Sequence, residues 1–183
     1  MALTASRIVN AATSTLREQG LAGLSMRRLA QGLGVQPGAL YHHVASKQEL
    51  LVAVGEQLLS DSAPAICTTD PAQAAADLRT ALLPIRDGAE VISFVHAYKP
   101  NALGPLNDLH VALARRLPRA QAPLVAEALI RYVLGFVAVE QNHAELVRAR
   151  IVEPGPATPD AEQAFSFGVR ALLAGIEPLR AGS

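Results

Sequence analysis

The stretch LSMRRLAQGLGVQPGALYHHVASKQELL, residues 24–51, constrains this chain more than any other, because its apolar residues keep helical spacing across a tight break at Gly34. Ser25 is a hydroxyl residue suited to accept from an orphan N–H of a first turn, and the helix it opens carries Leu29, Ala30 and Leu33 toward a small core. Gly34 ends that helix in the left-handed conformation, and Val35 supplies an apolar anchor under the turn. Gln36 and Pro37 open a second helix, since proline has a pre-set φ and no N–H to lose in a first turn. That helix is short. It buries Leu40 and Val44 and turns Gln36, Gly38, Ala39, Tyr41, His42 and His43 outward. The pair reads as a helix-turn-helix.

A recognition helix in the major groove of DNA sets its N-terminal residues on base edges, while the polar residues around it hold phosphates. Gln36 can make a bidentate contact with adenine, Gly38 beside Pro37 allows close approach, and the Ala39 methyl can touch a thymine methyl. Tyr41, His43 and Lys47, with His42 beside them, are placed to clamp the backbone. Arg27 and Arg28, in the helix that Ser25 opens, can reach a phosphate or a guanine. Taken singly, an exposed Gln or Lys is solvated and a half-buried Tyr packs. The ordered set carries the reading.

With Ile8, Ala12, Leu16, Gly20, Leu24, Ser25, Leu29, Ala30, Gly34, Val35, Leu40, Tyr41, His43, Val44, Lys47 and Leu50 in their places, the first sixty or so residues resemble the N-terminal domain of the tetracycline-repressor (TetR) family of transcriptional regulators. The flanks fit. A first helix runs from about Thr4 to Gln19 with Ile8, Val9, Ala12 and Leu16 on its buried side, and Gly20 closes it. A fourth helix follows Ser46, with Glu49 completing a capping box and Leu50, Leu51, Val54 and Leu58 pointing inward. Net charge is zero over the 183 residues, yet residues 1–60 hold Arg7, Arg17, Arg27, Arg28 and Lys47 against Glu18, Glu49 and Glu56. Two such mildly basic domains side by side supply the electrostatic attraction that one supplies weakly.

The segment SDSAPAICTTDP, residues 60–71, breaks the periodicity, which sets the domain boundary there: a helix-turn-helix domain over 3–62 and a helical effector-binding and dimerisation domain over 70–181. Further helices are expected over 71–83, 87–98, 105–117, 122–150 and 160–179, with a Pro/Gly loop after Ile151 and no strand pattern. The fold class is all-α. Cys67 stands alone, which excludes an intrachain disulfide and a cysteine-cluster zinc site; an inert apolar residue and a redox sensor both fit it. Half the residues are hydrophobic, only 17% are charged, and mean hydropathy is +0.24. No run of about twenty uninterrupted apolar residues and no signal-peptide core occurs, so a cytoplasmic protein off the membrane is expected, with the apolar excess covering a subunit interface or a ligand cavity.

The second domain also resembles the tetracycline-repressor branch, in LLPIRDGAEV, ALIRYVLGFVAVEQNH and AFSFGVRALLAGIEPL. The resemblance implies a homodimer whose long and last helices pair with their mates, through Ala128, Tyr132, Gly135, Phe136 and Val139 with Phe165, Gly168, Ala171, Leu172 and Gly175. That branch holds its drug as a magnesium chelate, on a histidine after RDGA and an acidic residue in the long helix. Ile92 and Val139 stand at those positions here, and neither can ligate a hard cation. The expectation is therefore no metal, no cofactor, and a more apolar effector than magnesium-tetracycline. Expected ligand contacts are Ile92, Phe94, His96, Tyr98, Leu109, His110, Leu113, Phe136, Val139, Glu140 and His143.

Glu140 and His143 have the Glu-x-x-His spacing of di-metal bundles, but no second pair accompanies them. Without a nucleophile elbow, zinc-protease helix or phosphate-cradling loop, an enzyme is not expected. Two readings stand: a repressor released from a palindromic operator on double-stranded DNA by a small molecule, and a helix-turn-helix adaptor controlled by a protein partner. An unfilled apolar cavity in the second domain favours the first and a filled core the second.

Overall fold

The computed structural model describes residues 2–61, 70–158 and 160–175, and the described residues are helical with no strand among them. The boundary segment and Cys67 therefore lie largely outside the described residues, as does the chain after Gly175. Helix α1 spans Ala5–Gly23, α2 Met26–Gly32, α3 Pro37–Tyr41 and α4 Lys47–Ser60. Beyond the boundary come α5 Pro71–Leu82, α6 Gly88–Tyr98, a single 3₁₀ turn Pro100–Ala102, α7 Gly104–Ala114, α8 Ala122–Arg148 and α9 Ala161–Ala174.

The local signals act at the ends of the first helices. Thr4, Ser25 and Ser46 cap α1, α2 and α4 by accepting from the N–H groups of Arg7, Arg28 and Glu49. Gly34, at φ +70°, closes α2: its own N–H reaches Gln31 O and the Val35 N–H reaches Ala30 O, the two bonds of a Schellman motif. Gly20 breaks α1 rather than ending it, since at φ +71° it kinks the chain and the last turn continues to Gly23. The Glu49 side chain does not close a capping box. Its carboxylate instead accepts from Tyr98 Oη and Lys99 Nζ at the far end of α6, each at 3.4 Å, because these donors lie within its reach.

Apolar packing is continuous from Ile8 to Val169. Helix α4 carries it across: Leu50, Leu51, Val54, Leu58 and Leu59 are buried, and Gly55 admits α6 so closely that a Cβ there would meet Val95 Cγ2 at 3.1 Å and Ile92 Cδ1 at 3.4 Å. Helix α8 is the axis of the second half. Its length and mean hydropathy of 1.7 alone would suit a membrane span, yet Ala126, Leu129, Ile130, Val133, Leu134 and Val137 bury in the protein's own core.

Two polar clusters fasten α8. Arg79 of α5 binds Glu140 in a two-pronged pair, Nε to Oε2 at 2.9 Å and Nη2 to Oε1 at 2.7 Å, and binds Glu162 of α9 as well. Its guanidinium lies over Phe165 and Phe136, 5.0 and 5.8 Å from the ring centroids. The bond to Glu140 raises the Arg79 pKa further above the ordinary arginine value, against the desolvation that lowers it. In the second cluster, Gln141 donates to Leu82 O at 2.8 Å and Ile85 O at 2.6 Å and accepts from Ala89 N–H, which fixes the corner between α5 and α6. From that corner Asp87 Oδ2 accepts the Leu21 N–H at 2.6 Å, while Arg86 donates to Glu18 O and Glu145 Oε2. Gly20 fits against this corner: a Cβ there would lie 2.5 Å from Asp87 Oδ2.

Candidate nucleic-acid interface and ligand groove

Helix α3 has five residues and one fully buried side chain, Leu40. Gln36 stands at its N-cap with no side-chain cap bond, Pro37 opens it, and Gln36, Pro37, Gly38, Tyr41, His42 and His43 are exposed, with Ala39 half-buried. Tyr41 remains 51% exposed although aromatic rings ordinarily bury, so its ring is available to a partner. Arg27 and Arg28 are exposed in the first turn of α2, while Ser25 is spent in capping it. Lys47 is half-buried in the first turn of α4. The outward set therefore belongs to the two short helices and the turns around them, the arrangement by which base edges and phosphates are met together.

In the second half a groove runs between α6 and α8. One lobe of about 470 Å³ is lined by Ser93, His96, Ala97, Pro100, Glu127, Arg131, Leu134, Gly135 and Ala138. A second of about 410 Å³ lies against His96, Pro100, Asn101, Asn107, His110, Val111 and Glu127. The lobes share His96, Pro100 and Glu127, and the bond from His96 Nε2 to Glu127 Oε2, 3.0 Å long, is the crossbar between them. Arg131 holds the other Glu127 oxygen at 2.8 Å from one turn away. Burial pushes the Glu127 carboxyl up, but His96 and Arg131 outweigh it and hold it below its ordinary range. His96 Nδ1 is buried and has no hydrogen-bond partner.

Of the expected ligand contacts, His96 and His110 line this groove and the others lie elsewhere. Ile92 is fully buried against Gly55, because the apolar side of α6 faces α4. Leu109 and Leu113 are core residues of α7. Phe94 stacks on Tyr98 at 5.6 Å, and Tyr98 is exposed beside Glu49. Phe136 joins Tyr132 and Phe165 in the aromatic cluster around Arg79, and Glu140 is that arginine's partner. His143 Nε2 bonds Gly155 O at 3.0 Å, a different partner from that of Glu140. Val139 points outward at 58% exposure. The residues of the first lobe that sequence reasoning missed flank the expected His96 on two stripes: Ser93, Ala97 and Pro100, then Glu127, Arg131, Leu134, Gly135 and Ala138. Apart from Leu134, each repeats at helical spacing in small or polar residues, and that was the available signal.

The expected dimer seam divides. Tyr132, Phe136 and Phe165 pack within the chain, and any side chain at Gly168 would run into Tyr132, so that glycine serves an intrachain approach. The outward face of α8 instead carries Leu124, Ala128, Gly135, Val139 and Leu146, and that of α9 Phe167, Ala171 and Leu172.

A helix-turn-helix mounted on a larger helical body with a ligand-sized groove defines the class of DNA-binding regulators. Residues 8–54 match the family described as bacterial regulatory proteins, tetR family. Tetracycline repressor protein class G of Vibrio anguillarum is 30% identical to the chain over 196 residues, covering 95% of this chain and 93% of that protein. Among solved structures, BioQ with its double-stranded DNA operator has a TM-score of 0.76 at 31% identity, covering 96% of this chain and 98% of that one. A substituted TetR from Acinetobacter baumannii AYE in complex with minocycline has a TM-score of 0.79 at 28% identity, covering 98% and 99%. The chain belongs to the tetR family and is a transcriptional regulator of that family.

Proposed function

We propose that this protein is a homodimeric repressor that reads a palindromic DNA operator and leaves it when a small molecule other than magnesium-tetracycline enters the groove between α6 and α8. The reading head would comprise residues 3–62 and the sensing and dimerising body residues 70–181. One observation carries the proposal: α6 serves both halves. Ser93, His96 and Ala97 on one side line the groove, while Ile92 and Val95 on the other pack against Gly55 of α4, the helix that follows the reader. A ligand that moves α6 therefore moves α4. For hundredfold release, its affinities for the two forms must differ by about 2.7 kcal/mol.

Dimerisation is supported by the exposed apolar side chains Leu124, Val139 and Leu146 on the outward side of α8, with Phe167 and Leu172 on that of α9. Two heads so joined present two recognition helices about one turn of DNA apart. The branch's metal positions hold Ile92, in the core, and Val139, on the outer face, so magnesium-tetracycline finds no ligating pair there. The test is a salt-dependent titration of the protein against DNA from upstream of its own gene and against a random-sequence pool. A dimer bound to a short palindromic site, with affinity falling steeply as salt rises, is the expected result, and magnesium with tetracycline is expected to leave the complex intact. Absence of binding at every salt concentration overturns the reading in favour of the protein-docking adaptor.

A further inference from the structure

The crossbar between the two lobes limits what chemistry the groove can accept. A carboxylate oxygen only accepts, so His96 Nε2, 3.0 Å from Glu127 Oε2, is the nitrogen that carries the proton. In the neutral ring Nδ1 is then a bare lone pair, and it is this atom that is buried without a partner. His110 obeys the same logic. Its Nδ1 donates to the Leu106 carbonyl at 3.0 Å, which leaves Nε2 as the acceptor in the second lobe. Glu127 adds an ionised carboxylate with two of its lone pairs in use, one by His96 and one by Arg131. The polar groups where the lobes meet are therefore predominantly acceptors. Arg131 on the same lobe keeps further N–H donors, but its head is 76% exposed and its charge is shared with Glu127, so solvent screening weakens its pull on an incoming anion.

We infer that the effector is a neutral molecule with an apolar body and a hydrogen-bond donor, such as a phenolic or alcoholic hydroxyl, which it offers to His96 and Glu127 at the crossbar. The inference rests on the groove's being the effector site. A carboxylate or phosphate of the same size brings its charge against the ionised Glu127 carboxylate. A plain hydrocarbon fills Leu134, Gly135 and Ala138 but leaves the acceptors unmet, and a site built around such groups discriminates strongly against analogues that lack the matching donor.

Three probes of one shape test this: naphthol, naphthoate and methylnaphthalene, titrated calorimetrically into the protein at about pH 8. Each is also scored for release of operator DNA. Naphthol is expected to bind roughly tenfold more tightly than either other probe, and His96→Phe, which keeps a ring but no nitrogen, to bring naphthol and methylnaphthalene level. Ala97→Trp, at an exposed position on the groove wall, is expected to weaken all three while leaving the fold intact. If naphthoate binds best, if the naphthol preference survives His96→Phe, or if no probe binds the wild type by roughly millimolar concentration, the donor class is wrong. Binding of all three unchanged by Ala97→Trp overturns the groove itself as the site.

Discussion

The two polar clusters that fasten α8 have similar residue types and opposite settings. Around Arg79, α5, α8 and α9 meet within the body, with the guanidinium side chain only 10% exposed, gripped on two prongs by Glu140 and covered by aromatic rings. Around Arg86 and Asp87 the body meets the head, with the Arg86–Glu145 pair more than a quarter exposed on both sides and two of the bonds made to the backbone of α1. Removing one partner from the first leaves an uncompensated charge in a dry place. Removing one from the second leaves groups that water can reach. The body is thus stapled internally by a buried ion pair, whereas its polar contacts to the head, unlike the apolar packing through α4, can be exchanged at modest cost.

The widest test of that contrast is Arg79→Leu, which strands Glu140 and should cost about 3 kcal/mol of stability by urea titration. The double variant Arg79→Met/Glu140→Leu should recover most of the loss; if it does not, the cluster contributes specific geometry rather than mere charge balance. In the head, Gln36→Ala should leave stability unchanged and relax the operator preference at one base position, with discrimination falling by about 1–3 kcal/mol. Lys47→Ala should weaken all sequences alike and lower the salt slope by about one. Asp87→Asn keeps the shape of the corner but removes the charge on the acceptor of the Leu21 N–H, and about 1 kcal/mol of stability should go with it. A loss as large as that of Arg79→Leu would erase the distinction between the clusters.

The smallest effect expected is at the groove. The Glu127 carboxyl is held below its ordinary range, so its pairing stabilises the folded protein above about pH 4 and the contribution disappears as pH falls through the lowered value. Glu127→Gln should therefore be slightly less stable than wild type near neutrality and indistinguishable from it in acid, by thermal denaturation at both pH values.

The head was legible because its signals are local. Ser25, Gly34, Pro37 and Ser46 each act on a backbone group within a few residues, and the helix bounds followed. Glu49 shows the limit, since its sequence neighbourhood offers a capping box while α6 brings Tyr98 and Lys99 from fifty residues away. The body's helices were legible from Pro and Gly breaks, but its groove was not. Apolarity marked Ile92, Leu109 and Leu113, and apolarity in a helix first marks core. The groove is lined where the apolar stripe ends, by Ser93, Ala97, Glu127 and Arg131, and which helix faces meet depends on packing that no single helix encodes.

The kink at Gly20 has a consequence for anyone who would graft this reader onto another sensor. Cutting the chain between the head and α5 does not separate two interchangeable parts, because the bend in α1 is completed by Asp87 and Arg86, more than sixty positions downstream, and the fit leaves no room even for a methyl group. A working chimera must carry the corner between α5 and α6 with the head, together with Gln141 to hold that corner in place. The portable unit is discontinuous in sequence.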